Sequence, residues 1–306
     1  MSTSNDTGLH LSNQLDVEFS SGGVVLRGWL RTPPTPGPHP LIILAHGLGG
    51  LKEWTIPEVA NSLVESGFAA LAFDYRNFGD SGGNPREEVD HAGQIEDWRN
   101  AITHATMLPE IDSDRIGLWG TSLGGRNVLA VAALDPRAKC VVVQVPPISL
   151  DVTMTALAFT GAGVDEFYRV LAEDRRERAS GNDPRYITFE HDDPDAEHAD
   201  YWATFGKAEQ RNWNRRLTLR SFEPALGTDI MFLMRDIAPT PLLMILADAD
   251  TSGRDQLAAF EAAGEPKSLL MLHGHHYSVY TEHKEQAIAA ARDWFVEHLG
   301  QRAAAE

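Results

Sequence analysis

The pattern Gly-x-Ser-x-Gly, which can present a serine hydroxyl as a nucleophile, occurs twice in the chain, around Ser81 and around Ser122. The motif works when a strand ends at its first glycine and a helix begins after the serine, because that sharp turn exposes the hydroxyl. Ser122 lies between the apolar run RIGLW and the helix-forming residues LGGRNVLAVAAL, whereas Ser81 is followed by the loop-like GGNPREE. We therefore predict that Ser122 is a nucleophile and that Ser81 is a turn residue.

A serine nucleophile needs a general base, and the base needs an acid that orients it. Asp248 and Asp250 follow the apolar run LLMILA, and His273, His275 and His276 follow SLLML. Asp248 falls at the strand end, where a carboxylate commonly caps a turn, so Asp250 is the predicted acid. His273 belongs to the end of the other strand. Spacing alone does not choose between His275 and His276 as the base.

Acyl transfer also needs backbone N–H groups that bind the developing oxyanion. We expect one from Leu123, directly after the nucleophile, and one from Leu48 in the glycine-rich stretch HGLGG after the run LIILA. His46 in that stretch is expected to hold the loop rather than to react. Arg126, beyond the elbow glycines, is expected on the helix surface or against an inserted segment, with contact to an acidic substrate group as the alternative.

Strand-like and helix-like segments alternate, which is typical of a mostly parallel sheet covered by helices on both faces. An antiparallel pair (15–19 and 24–31) opens the chain, and a helix is predicted after a capping box of Thr55 and Glu58. Because the carboxyl ends of parallel strands meet at one edge of the sheet, the predicted nucleophile, acid and base should converge there.

The alternation is lost after residue 146 and resumes at about residue 239. We predict an α/β core formed by 1–146 and 239–306, interrupted by a helical cap over 147–238. This insertion holds 11 of the 25 aromatic residues, so it is expected to supply its own core or to cover the site with a bulky apolar pocket.

Composition excludes several classes of protein. The net charge of −18 works against nucleic acid and against anionic membrane surfaces as partners. The single cysteine, Cys140, excludes an intramolecular disulfide framework and fits a reducing compartment. The N-terminal stretch lacks the basic and apolar regions of a signal peptide, so a cytoplasmic location is expected. The sequence allows a homodimer but contains nothing that requires one.

The motifs together resemble the α/β-hydrolase superfamily. The similarity runs through HGLGG, FDYRNFGDSGG, GLWGTSLGG, ADADT and HGHHYSVY in that order. Within the superfamily, the chain looks like the dienelactone-hydrolase-like enzymes that include polyketide-processing hydrolases and transferases. The resemblance implies His276 as the base, because Tyr277 and Tyr280 follow it in the family's register, although His275 stands where the family usually has glycine.

These residues predict a serine hydrolase that cleaves an ester, lactone or thioester of a medium-sized hydrophobic or aromatic small molecule through an acyl-enzyme at Ser122. No cofactor or metal ion is expected, because the histidine cluster lacks further ligands nearby. The alternatives are an acyltransferase or a carbon–carbon bond hydrolase acting on a secondary metabolite with the same residues, and, more remotely, a non-catalytic binding protein.

Overall fold

The computed structural model describes residues 13–149, 163–188, 214, 216–223, 229–250 and 255–300. The strands are β1 (Asn13–Ser21), β2 (Val24–Thr32), β3 (His39–Ala45), β4 (Ala69–Phe73), β5 (Ile111–Thr121), β6 (Ala138–Gln144), β7 (Tyr186–Thr188), β8 (Arg216–Thr218), β9 (Leu242–Ala247) and β10 (Lys267–Leu272). The centre of the fold is one eight-stranded sheet in the order β1-β2-β4-β3-β5-β6-β9-β10. The first two strands pair antiparallel, β2 also pairs antiparallel with β4, and all other neighbours in the sheet are parallel.

Helices cover both faces of the sheet, which explains why its central strands are continuously apolar. The helices are α1 (Ile56–Glu65), α2 (His91–Ala105), α3 (Leu123–Leu134), α4 (Val164–Ala179), α5 (Gln256–Ala262) and α6 (Lys284–Leu299). Two separate hydrophobic clusters result. One contains side chains of α2 and α3, and the other contains those of α1 and α6. The predicted α/β-hydrolase fold with a mostly parallel sheet is confirmed.

The predicted cap (147–238) falls partly on residues outside the described ones. Its described part contains α4, the antiparallel pair of β7 and β8, and short 3-10 helices at Leu219–Phe222 and Met231–Asp236. Short strands therefore accompany helix in this segment. Several of its apolar side chains, among them Phe167 and Leu217, are fully buried and belong to the same cluster as α2 and α3.

The predicted capping box at Thr55 is wrong. Thr55 adopts a φ of 56° and makes no side-chain hydrogen bond to the first turn of α1. Its hydroxyl instead donates to the carbonyl oxygen of Trp54 over 2.7 Å. An N-cap residue normally has an extended backbone, which Thr55 lacks, so the presence of Thr55 and Glu58 at the right spacing does not produce the cap. Within the described residues, no helix is long and apolar enough to cross a membrane.

Candidate active site

Ser122 lies in a tight turn between β5 and α3. It has a φ of 51°, which is unusual for a residue with a side chain, and its N–H donates to the carbonyl of Gln144 over 2.8 Å. The turn depends on glycine. A Cβ on Gly120 would lie 2.4 Å from the carbonyl oxygen of Gly124, and a Cβ on Gly124 would lie 2.3 Å from that of His46. The strained turn therefore presents the serine at the carboxyl edge of the sheet.

Three of the residues predicted from sequence meet at this edge. The Ser122 hydroxyl donates to Nε2 of His276 over 3.1 Å. The Nδ1–H of the same ring donates to Oδ2 of Asp250 over 3.0 Å. The Asp250 side chain is 1% exposed and that of His276 is 15% exposed. With the proton on Nδ1, Nε2 has a free lone pair for the serine proton, which is the arrangement of a nucleophile, a general base and an orienting acid.

Gln256, which the sequence did not single out, binds the predicted acid, Asp250. Its Nε2 donates to Oδ2 of Asp250 over 3.0 Å, the same oxygen that accepts from His276. Gln256 is 3% exposed and is the first residue of α5. Two donors on one carboxylate oxygen stabilise its charge and fix its direction. In the sequence, the only signal for this contact is that Gln256 lies a few residues after Asp250.

The other candidates in the two loops are arranged differently. Asp248 accepts a hydrogen bond from Nδ1 of His273 over 2.9 Å, but the His273 side chain is 91% exposed. That contact lowers the pKa of Asp248 and raises the pKa of His273. His275 is occupied locally, because its Nδ1 accepts the backbone N–H of Tyr277 over 3.2 Å. Within the described residues, no group of three or more His, Cys, Asp or Glu side chains is placed to hold a metal ion.

The glycine-rich loop after β3 lies against Ser122. A Cβ on Gly47 would be 2.9 Å from the Cβ of Ser122 and 3.4 Å from its Oγ, so only glycine fits there. Leu48 is the next residue, and Leu123 opens α3, where backbone N–H groups have no partner within the helix. Leu123 thus directly follows Ser122, and Leu48 directly follows the glycine that lies against it, while the oxyanion role of their N–H groups remains a prediction.

The buried side chain of His46 holds the glycine-rich loop after β3 in place. His46 is 2% exposed, packs edge-on against Tyr75 with ring centres 5.0 Å apart, and donates from Nδ1 to the carbonyl of Gly47 over 2.9 Å. Burial lowers the pKa of His46, which favours its neutral form. This geometry matches the expected structural role of His46.

Lys52 holds the far end of the same loop. Its Nζ donates to Asp74 over 2.7 Å and to Asp80 over 2.6 Å. Burial opposes the charge of Lys52, but the attraction and hydrogen bonds of the two carboxylates outweigh it and raise the pKa of the amine. Lys52 therefore joins the loop after β3 to the turn after β4. That turn contains Ser81, whose hydroxyl donates to the carbonyl of Asp74 over 2.6 Å.

Of the two positions expected for Arg126, the helix surface is wrong, whereas packing of its helix against the inserted segment is observed. Arg126 is 2% exposed, because α3 is covered by the sheet, by α2 and by the 3-10 helix Met231–Asp236. Burial lowers the pKa of Arg126, and nearby Asp229 partly opposes this. Burial, reinforced by the positive charge of Arg126, also lowers the pKa of His91 to about 4. Arg126 is therefore a buried cation close to the buried ring of His91 and within the influence of the exposed Asp229.

Tyr280 joins the histidine loop to the serine turn. Its hydroxyl and that of Thr121 are 2.5 Å apart, and Thr121 directly precedes Ser122. The rings of Tyr277 and Tyr280 lie 5.3 Å and 6.2 Å from the ring of His276, both nearly edge-on. These contacts restrict the imidazole to the orientation that faces the serine.

A serine in a strained turn, hydrogen-bonded to a histidine that is itself bound to a buried aspartate, lies at the carboxyl edge of a parallel sheet. A family model described as alpha/beta hydrolase fold matches residues 40–251. That match covers more than half of the chain, and the chain belongs to the α/β-hydrolase family.

Three relatives with named activities are similar to this chain. A thiohydrolase of Eupenicillium brefeldianum is 30% identical over 306 residues, covering 94% of this chain and 96% of the relative. Polyketide transferase grgF of Penicillium sp. is 30% identical over 270 residues, covering 85% of this chain and 87% of the relative. Quorum-quenching protein AidA of Acinetobacter baumannii is 46% identical over 132 residues, and that match spans 43% of each chain.

A solved structure of one such enzyme is also similar to this chain. The crystal structure of α/β hydrolase GrgF from Penicillium sp. is similar with a TM-score of 0.81 at 27% sequence identity, covering 94% of this chain and 100% of that chain. The expected resemblance to polyketide-processing hydrolases and transferases is therefore confirmed.

Proposed function

We propose that this protein is a serine hydrolase that cleaves an ester, lactone or thioester through an acyl-enzyme at Ser122. The observation that carries the proposal is the pair of hydrogen bonds from Ser122 to His276 and from His276 to Asp250, at 3.1 and 3.0 Å. The buried carboxylate stabilises the imidazolium that forms when the ring takes the serine proton.

The reaction has two halves. Ser122 Oγ attacks the substrate carbonyl while His276 Nε2 takes its proton, and the N–H groups of Leu48 and Leu123 bind the oxyanion. The C–O or C–S bond then breaks, and the imidazolium returns its proton to the leaving alcohol or thiol. In the second half, the neutral His276 takes a proton from water, whose oxygen attacks the acyl carbon. The bond between that carbon and Ser122 Oγ then breaks, the imidazolium returns its proton to Oγ, and the carboxylic acid leaves.

The substrate is proposed to be a medium-sized hydrophobic or aromatic acyl compound. Two features support this class. The segment 147–238 is rich in aromatic residues, and a thiohydrolase is similar over nearly the full length of the chain. A thioester is therefore the first substrate to test.

Acyl transfer is the second candidate function, and similarity to a polyketide transferase over most of the chain favours it. In that case an alcohol or amine replaces water in the second half of the reaction. Turnover of a thioester with and without an added acceptor, followed by product analysis, separates the two reactions. The same analysis detects carbon–carbon cleavage, which releases a different pair of products.

A fluorophosphonate probe, which phosphonylates only activated serines, tests the nucleophile directly. We expect labelling of the wild type and of Ser81→Ala, and no labelling of Ser122→Ala. The two serines share a motif, so Ser81→Ala is the matched control. An unlabelled wild-type protein, or equal labelling of Ser122→Ala, would overturn the proposal and favour a non-catalytic binding protein.

A further inference from the structure

A concave site that is separate from Ser122 lies between the turn after β4 and the inserted segment. It is a cavity of about 900 Å³, within the size range of small-molecule sites. Its charged lining residues are Arg86, Arg175, Arg178, Arg216, Arg220 and Asp183. Neither Ser122 nor His276 lines it.

Five arginines around one cavity are unusual for this chain. Lysine and arginine together make up 26 of 306 residues, and acids outnumber them at 44. Twelve residues line the cavity, so random placement would supply about one basic residue. The concentration of guanidinium groups in an otherwise acidic protein marks a place that attracts anions.

The arginines come from three separate elements that converge on the cavity. Arg175 and Arg178 are one turn apart on α4, Arg216 and Arg220 lie in and just after β8, and Arg86 belongs to the turn after β4. Guanidinium groups that approach from several directions can surround a compact anion, which a single surface pair cannot do.

Carboxylates bind several of these arginines and hold them in position. Glu223 accepts from Arg175 and from Arg178, each over 3.1 Å, and Glu87 accepts from Arg216 over 3.3 Å. The two glutamate side chains are 15% and 7% exposed. Arg178 also donates to Asp174 over 2.7 Å, and Arg220 lies 3.5 Å from Glu88, so four of the five arginines have a carboxylate partner. A guanidinium has five N–H donors, so donors that these carboxylates do not use are available to a ligand.

Arg86 differs from the other four. Its guanidinium donates to the backbone carbonyls of Ser81 and Gly79, over 2.5 and 2.7 Å. Among the residues that the structure describes, no carboxylate forms an ion pair with it. Arg86 is thus held in place by neutral groups and brings its full charge to the cavity.

From this geometry we infer that the cavity is a binding site for a small molecule carrying two or more phosphate groups. Guanidinium forks match the oxygens of phosphate, and several forks around one cavity fit a charge greater than that of a single carboxylate. The volume exceeds what an inorganic ion alone would fill, so the natural ligand is an organic polyphosphate. Asn84, Asn182 and Tyr186 supply further polar lining for its uncharged part.

Calorimetric titration of the full chain with inorganic pyrophosphate tests the charge recognition alone, and ADP tests an organic diphosphate. We expect saturable binding of both that weakens as salt is raised. Arg86→Gln and Arg220→Gln should each weaken binding by about tenfold, because each removes a charge-assisted contact. Arg175→Gln is a further cavity variant, and it should have little effect on folding because the Arg175 side chain is 71% exposed.

Two control proteins define the site. Arg235→Gln removes an arginine that is 81% exposed and lies outside the cavity, so it should bind pyrophosphate as the wild type does. Ser122→Ala should also bind normally, which separates this inference from the proposed hydrolase. The inference fails if pyrophosphate and ADP do not bind, if Arg235→Gln weakens binding as much as Arg86→Gln, or if citrate binds as tightly as pyrophosphate.

Discussion

Two aspartates in one loop offer a stringent test of the proposed site. Asp248 and Asp250 each accept a hydrogen bond from a histidine at about the same distance, 2.9 and 3.0 Å. They differ in burial, since their side chains are 47% and 1% exposed. Replacing each by asparagine changes only one group in a nearly isosteric side chain. The two variants therefore compare the same chemical change at an exposed aspartate and at a buried one.

Asp250→Asn should abolish most of the activity without unfolding the protein. The new amide can donate to Nδ1 of His276, which moves the ring proton to Nε2 and removes the acceptor for the Ser122 hydroxyl. We expect kcat/KM for an ester or thioester to fall by about 10³- to 10⁴-fold, or about 4 to 5 kcal/mol of transition-state stabilisation. Most of the loss should appear in kcat, because the interaction matters chiefly in the transition state.

Asp248→Asn should change kcat/KM by less than about twofold, since exposed ion pairs contribute little. Its effect should be visible elsewhere. Asp248 raises the pKa of His273, so the NMR titration of that ring should move back toward the ordinary histidine value. If Asp248→Asn costs more activity than Asp250→Asn, or if Asp250→Asn retains more than a tenth of the wild-type rate, the assignment of the acid is refuted.

Three further predictions concern the base, the loop and the response to acid. His276→Ala should reduce ester turnover by about 10³-fold or more and His275→Ala far less, and equal losses in a steady-state assay would contradict the choice of base. Lys52→Met leaves the carboxylate of Asp74, which is fully buried, without its cation, so urea unfolding should show a loss of about 3 to 5 kcal/mol. A loss below about 1 kcal/mol would show that the pair does not stabilise the loop. The pKa of His91 is about 4 in the folded chain and about 6.5 in an unfolded one, so the unfolded state takes up this proton first as the pH falls from 6.5 to 4. The wild type should therefore lose up to about 3 kcal/mol more over this range than His91→Gln, as measured by unfolding at each pH, and parallel pH profiles would refute this role.

Much of the fold was predictable because the sheet is parallel and covered on both sides. Each central strand then needs an unbroken apolar run, as in LIILA and LLMILA, and such runs are easily recognised. The candidate site followed from the same rule, since residues just after parallel strands meet at one edge. Resemblance to a family was needed to choose His276 over His275, because both lie at the correct distance along the chain.

The remaining features depend on contacts between distant segments. Arg126 fits the pattern of a helix-surface residue, but the sheet, α2 and the 3-10 helix Met231–Asp236 all pack against its helix and bury it. Gln256 looks like an ordinary helix residue until Asp250 is brought against it. Likewise, the arginines that line the proposed phosphate cavity are spread from residue 86 to residue 220, and no local sequence pattern connects them.

The two Gly-x-Ser-x-Gly motifs illustrate why local spelling does not determine chemistry. Ser81 and Ser122 both follow parallel strands at the same edge of the sheet. The hydroxyl of Ser81 donates to the carbonyl of Asp74 over 2.6 Å and accepts the N–H of Arg27 over 2.8 Å, so it fastens its own turn to the edge of the sheet. The hydroxyl of Ser122 is directed to an imidazole instead, because the helix that begins directly after it holds the residue in a strained turn. The proposed reactivity of Ser122 therefore depends on the partner of its hydroxyl, and the turn into the following helix determines that partner.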